Sequence, residues 1–238
     1  MDVLTLIQEF TNRTGLPKPT YAVGNPDQTI RQVLALLNEI LEDLTTRFEW
    51  SSLTRETTFV TVNGAEQGAL TTLAPNGFKY ILNDTIYNRT QQRELLGPAK
   101  ASEWQAAKAS GMTGTLYTYR ITLGKLRFIP DGVAGDTCAF EYISSYAVLA
   151  ADGTTYRAYP EADTDTFLLD DVIVLAGLRW KWKAEKGLDY AEDFRRYEEL
   201  ANNGKSRDAT QPHLSMNAGD GEEARPAILV PSGSWSLP

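Results

Sequence analysis

The sequence predicts an α+β fold: helices from both ends of the chain close into a bundle around an inserted antiparallel β-sheet or sandwich, and an extended C-terminal arm follows. Three observations carry that expectation. Apolar residues repeat at helical spacing before Trp50 and again after Phe167, while the stretch between them alternates at period two. Beyond Gly204 the composition turns to Asn, Gly, Ser, Pro and acids.

Each element follows in order. Leu4, Ile7 and Phe10 fall near helical spacing between Val3 and Thr14, and Gly15 offers a stop. Pro17 and Pro19 interrupt the chain. Asp27, with Pro26 ahead of it, caps a longer helix running to about Phe48. Ile30, Val33, Leu34, Leu37, Ile40, Leu41, Leu44 and Phe48 form a wide stripe on it, with Arg31, Glu39, Glu42 and Asp43 off the stripe. Burying such side chains contributes roughly 1.5–3 kcal/mol each before entropy, so the stripe needs partners on both flanks.

The period then changes. Arg55 to Val62 is rich in Thr, Val and Phe, and Asn63-Gly64 signals a hairpin turn into a strand at Ala69–Leu73. Ala101–Ser110 reads as a short helix around Trp104. LYTYRIT and KLRFI make a second hairpin through Leu123-Gly124, stopped by Pro130. Cys138, Phe140, Tyr142, Tyr146 and Val148 share one face from Thr137 to Val148, and Asp152-Gly153 turns the chain into TTYRAY.

Helices return at Phe167, with Leu168, Leu169, Val172, Ile173, Leu175, Leu178 and Trp180 crowded together. Lys181, Lys183 and Lys186 suit the negative helix end before Gly187. Asp189 caps a partner helix ending near Asn203, with Tyr190, Phe194, Tyr197 and Leu200 at helical spacing. The resulting divisions are 1–50 for the N-terminal helices, 51–165 for the β insert, 166–204 for a helical hairpin and 205–238 for the arm.

With 238 residues the chain can bury a substantial core, and its single cysteine, Cys138, excludes an intrachain disulfide framework. Cys138 lies in the strand pattern and is expected as a small core hydrophobe. The opening MDVLTLIQEF has neither a basic segment nor a long apolar run, so no secretory signal is expected. Net charge is −8 and the pI about 4.8, an acidic balance that argues against gripping DNA. The same balance suits a surface past which DNA slides.

Reaction machinery is scarce. The single histidine, His213, lies in the polar arm, so neither a Ser-His-Asp triad nor a Cys-His pair can be assembled on the body. Gly204-Lys205-Ser206 lacks the upstream glycine of a phosphate-binding loop. Glu141 and Asp170 are the candidates for a glycosidase carboxylate pair. Against that, Glu141 alternates onto a polar strand face, and Asp170 with Asp171 fits a helix first turn. Asp163 and Asp165 are the best metal candidates, set against helix capping by Asp165 or Thr166. No catalytic, cofactor-binding or metal residue is therefore expected. Trp50, Trp104, Trp180 and Trp182 are expected in the core or at a subunit interface.

One further pattern lies in the order of the motifs. A long helix ends in Phe48-Glu49-Trp50, with Leu53 after it, and Leu73-Ala74-Pro75-Asn76-Gly77-Phe78 follows. Leu96-Gly97-Pro98 then precedes Trp104, ahead of YRITLGKLRFIP and Phe140-Glu141-Tyr142-Ile143-Ser144. Asp163-Thr164-Asp165 leads into FLLDDVIVLAGLRWKWKAEKG. Together, over roughly Met1 to Arg207, these resemble the head-to-tail adaptor (connector) proteins of short-tailed bacteriophages. Two features depart from that pattern: Asn76-Gly77 stands where many relatives carry an acidic residue before the aromatic, and the sequence of the arm after Gly204 is not recognisable.

The resemblance implies a structural virion protein, made in the host cytoplasm and placed at the head–tail junction. It implies a homo-oligomeric ring, typically a dodecamer, with a helical domain towards the portal protein and a β domain towards a tail nozzle or tube protein. Genomic DNA would pass through the channel without specific binding, and no membrane is involved. The arm would dock on the portal, with Ile228, Leu229, Val230 and Trp235 as anchors. A tail tube or nozzle component shares the ring logic. From other classes, a cell-wall glycan hydrolase and a glycan-binding module with an aromatic platform are the rival readings.

Overall fold

The computed structural model of the chain describes residues 1–111 and 117–208. Helix α1 (Val3–Thr14) begins where the Asp2 carboxylate accepts the Thr5 N–H, and Gly15 is its C-cap. Helix α2 (Gln28–Arg47) is capped by Asp27, which accepts the Thr29 N–H. A 3-10 turn at Ser51–Leu53 leads into strand β1 (Thr54–Val60). Next come β2 (Gly64–Ala69), the one-turn α3 (Leu70–Leu73), β3 (Phe78–Ile81), β4 (Tyr87–Asn88) and β5 (Arg93–Glu94). Helix α4 (Ala101–Ser110) precedes β6 (Thr118–Thr122), β7 (Lys125–Gly132) and β8 (Thr137–Ser144). Short strands β9 (Val148–Leu149), β10 (Tyr156–Arg157) and β11 (Thr166–Phe167) lead to α5 (Asp171–Glu185) and α6 (Ala191–Asp208).

The fold is α+β, and its two ends meet. The bundle core gathers Leu6 and Phe10 of α1, Val33, Leu37, Ile40 and Leu44 of α2, Ile173 and Leu178 of α5, and Tyr197 of α6. A second core lies between two sheets. One has the strand order β1-β8-β4-β5, with β3 also paired to β8; the other runs β2-β7-β6. Phe59, Cys138, Phe140 and Tyr142 from the first meet Tyr119, Leu126 and Phe128 from the second. The β8 alternation puts Cys138, Phe140 and Tyr142 inside and leaves Glu141 exposed, as a period of two requires.

Several local expectations give way to tertiary structure. Asn63-Gly64 does not close a hairpin: β1 pairs with β8, whereas β2 pairs with β7. The chain changes sheets there, and the Gln67 side chain holds the crossing by binding the N–H and carbonyl of Val62 and the carbonyl of Gly64. Leu70–Leu73 is a helical turn instead of a strand. Pro130 does not stop its strand, since β7 continues to Gly132.

The strand from Thr137 ends at Ser144, so Val148 belongs to a separate small sheet, β10-β9-β11. Two of its strands, β9 and β10, fall within the 51–165 division and β11 lies just past it, yet the sheet packs with the helices: Val148 sits in the bundle core, and Val3 and Leu4 N–H groups donate to the Asp165 and Asp163 carbonyls. Phe167 and Leu168 precede the helix, which is capped by Asp170. At the other end α6 runs to Asp208, past the boundaries drawn at Asn203 and Gly204, so residues 205–208 are helix. Gly204 is a contact point instead of a stop, for a Cβ there would come within 2.7 Å of Ile173 Cδ1. On α2, Leu36 is buried while Leu34 and Phe48 are only partly so, which turns the stripe slightly from its expected position.

Candidate functional site

The four tryptophans take different places. Trp50 is buried at the base of the bundle, where Nε1–H donates to the Leu44 carbonyl at 2.9 Å and Phe48 meets the indole edge-on. Trp182 is buried against Phe10, with the Lys186 ammonium 4.4 Å from its ring centroid. Trp104 is the buried residue of α4. Trp180 is half-buried on the α5–α6 seam, against Tyr190, Phe194 and Tyr197. The anchors Ile228, Leu229, Val230 and Trp235, and also His213, lie outside the described residues.

The carboxylates singled out in the sequence have structural partners. Asp165 is 1% exposed and accepts from Arg157 at 3.0 Å and from the N–H groups of Glu161 and Ala162. Asp163 accepts the N–H groups of Ala22 and Val23, tying the loop after α1 to the segment before α5. Neither caps a helix, so the capping expectation is replaced by loop stapling. Among the described residues no group of three or more His, Cys, Asp or Glu is placed to hold a metal ion. Asp170 caps α5, whereas Glu141 stands on the outer face of β8 opposite Glu56. They belong to different elements, one a strand of the β domain and the other the start of a bundle helix.

Uncovered apolar side chains are spread over the surface, Leu123 being the most exposed of those described, and two groups of them form unlike faces on the helical hairpin and on the β domain. On the helical hairpin, Val172 is 54% exposed, and Leu188, Tyr190 and Phe194 are exposed as well. A shallow groove beside Val172 is lined by Leu175, Ala176 and Leu200 and edged by Arg13, Arg179 and Arg196. The Asp193 carboxylate holds the seam together by pairing with both Arg179 and Lys183. The second face is the far tip of the β domain. There Val60 and Val133 are 60% and 61% exposed beside exposed Val62, and the Thr61 hydroxyl donates to the Val133 carbonyl. Strand β1 leaves the bundle at Thr54 and reaches Val60 six residues later, about 20 Å away at the usual strand rise.

A cleft lies where the bundle meets the β domain. Its first part, about 630 Å³, is lined by Phe48, Glu49, Trp50, Tyr80, Lys205 and Asp208 among others. A second part, about 490 Å³, shares Glu49, Tyr80 and Leu82 and extends to Pro98, Tyr119 and Ile121. Polar contacts brace the junction. Lys79 reaches from β3 to the Thr45 carbonyl and the Thr46 hydroxyl at the end of α2, and burial lowers its ammonium pKa. Tyr80 donates to Glu49 at 3.1 Å; burial first, and the Glu49 charge second, push its phenol up to about 12. Tyr119 is buried, its hydroxyl has no partner among the described residues, and burial pushes it up to about 12 as well.

Sequence reasoning did not find the cleft, the β tip or Gln67. The cleft assembles residues far apart in the chain, and only the exposed valines of TFVTVNG left a local trace. No protein-family model matches the chain, nor does any curated protein. Among the described residues no helix is long and apolar enough to cross a membrane.

Proposed function

We propose that the chain is a structural ring subunit, a head-to-tail adaptor that joins a phage portal to its tail. The observation that carries the reading is the pair of unlike uncovered faces at separate ends of one braced body. A subunit that joins two unlike assemblies needs a different sticky surface towards each of them. The helical face offers apolar side chains edged by arginines, and the β tip offers valines alone. Such surfaces suit two different neighbours.

In this reading the helical body faces the portal, the β tip faces a tail nozzle or tube, and residues 209–238 reach the portal through Ile228, Leu229, Val230 and Trp235. A net charge of −8 lets DNA pass without being held. The localisation is the virion, and the chain catalyses nothing. The test is native mass measurement of the purified chain with and without a portal ring. Ring-sized complexes formed on the portal are expected, about twelve copies by the adaptor resemblance and closed by heterologous contacts. A chain that stays monomeric beside the portal, or that cleaves peptidoglycan in a manner abolished by Glu141→Gln, overturns the reading.

A further inference from the structure

We propose that the cleft between the bundle and the β domain seats the chain's own residues 222–230, Glu-Glu-Ala-Arg-Pro-Ala-Ile-Leu-Val, in the free subunit. Docking in this way stands apart from the ring reading, since it needs no portal and no second copy.

The first argument is where the chain leaves the body. Asp208, the last described residue of α6, lines the cleft, and its carboxylate accepts the Ser51 N–H at 2.6 Å as well as the Ser51 hydroxyl. The following segment therefore starts at the lip. Thirteen residues, Ala209–Gly221, separate Asp208 from Glu222. A random coil of thirteen residues would span about 20 Å root-mean-square, which corresponds to a millimolar-scale effective concentration at the cleft. A site too weak to capture a separate peptide is filled under those conditions.

The second argument is the order of chemistry along the cleft. Nearest the chain exit stands Lys205, its ammonium 4.9 Å from the Phe48 ring centroid. Glu49, shared by both parts, stands at the centre and is exposed. Beyond it lie Pro98 and Ile121, with the unpartnered Tyr119 hydroxyl at 1% exposure. Going away from Asp208, the segment presents the same series in complement: the acids Glu222 and Glu223, then Arg225, then Ala227–Val230. Acids meet Lys205, the guanidinium meets Glu49, and the apolar run meets the apolar end. There a main-chain group can satisfy the tyrosine hydroxyl, which otherwise stays buried without a bond.

The experiment is amide hydrogen exchange on the full-length chain at dilute concentration, following Ala227–Val230. Wild type is expected to exchange these amides about tenfold or more slowly than an unstructured chain. Glu49→Arg, on an exposed residue whose side chain accepts the Tyr80 hydroxyl, should return them to the unstructured rate while the urea midpoint reports any loss of the fold. Adding Arg225→Glu to Glu49→Arg should restore part of the protection. Unprotected amides in wild type, or protection indifferent to Glu49→Arg, overturn the proposal. Protection that grows with protein concentration makes the occupant a second copy and overturns it too. Portal binding measured on the same variants is a separate outcome: its absence sinks the adaptor reading and leaves the cleft result as it stands.

Discussion

Asp165 shows how much one residue can hold. Its carboxylate sits at 1% exposure and gathers Arg157 and two backbone N–H groups, while its carbonyl accepts from Val3. Asp165→Ala strands the Arg157 guanidinium and the two N–H groups while keeping the main-chain bond to Val3, and the expected loss is about 3 kcal/mol, discounted because Arg157 keeps some solvent. Urea unfolding checks it; a change within about 0.5 kcal/mol would show that water replaces the carboxylate. Gly77 stands at φ 76°, and a Cβ there would fall 2.4 Å from the Tyr146 ring. Gly77→Ala therefore combines backbone strain with overpacking, and a loss of roughly 1–3 kcal/mol is expected in the same measurement.

Cys138 makes a prediction about pH. Burial, aided by the nearby Asp136 charge, raises its thiol from 9.0 to about 12. The unfolded chain then releases this proton at lower pH than the folded one. The contribution is fully present below pH 9 and is lost as pH rises to about 12. Tyr119 acts in the same direction, from 10.0 to about 12. Stability should fall by a few kcal/mol over this range, read as a declining urea midpoint. At pH 8 the native thiol should resist a disulfide reagent that modifies the urea-unfolded chain within minutes.

At the scale of elements, α6 depends on charge as much as on burial. Its described core contribution is Tyr197 and Ala201, whereas Asp193 ties it to α5 through Arg179 and Lys183. Asp193→Ala should weaken the docking of α6 by about 1–2 kcal/mol. Faster exchange of α6 amides with α2 unchanged is the expected signature; equal acceleration of both would mean that the hairpin opens only with the whole bundle. Element ends were legible where a cap is local, as at Asp27 and Gly15, whereas α5 was expected from Phe167 and begins at Asp171, capped by Asp170. They were missed where packing decides. Gly204 reads as a stop, yet its missing side chain is what lets α6 pass Ile173 and Trp50 closely.

For the whole molecule, the braced junction matters most. Lys79 binds the end of α2 from the β domain, and Asp208 of α6 holds Ser51 where β1 begins. Two cores joined in this way behave as one body, which suits a ring subunit that must hold its two sticky faces at a fixed separation. Val60→Asp with Val133→Asp should leave the urea midpoint within about 0.5 kcal/mol, since both side chains are exposed; under the proposed adaptor role it should also abolish attachment to a tail partner. Retained attachment would remove the β tip from the interface.

What the sequence determined by itself were the local features: the helices and their caps, the change of period, the inward face of β8 and the Leu123-Gly124 turn. These depend on neighbours within a few residues, where capping and periodicity act. Only the tertiary structure decided which strands pair, why Asn63-Gly64 crosses between sheets, and which sheet joins the bundle. It also placed Asp163 and Asp165 as staples and brought Glu49, Tyr80, Tyr119 and Lys205 to one cleft. The physical reason is that strand pairing and buried polar contacts are settled between residues distant in the chain. There burial and hydrogen-bond satisfaction outweigh the preference of any single turn.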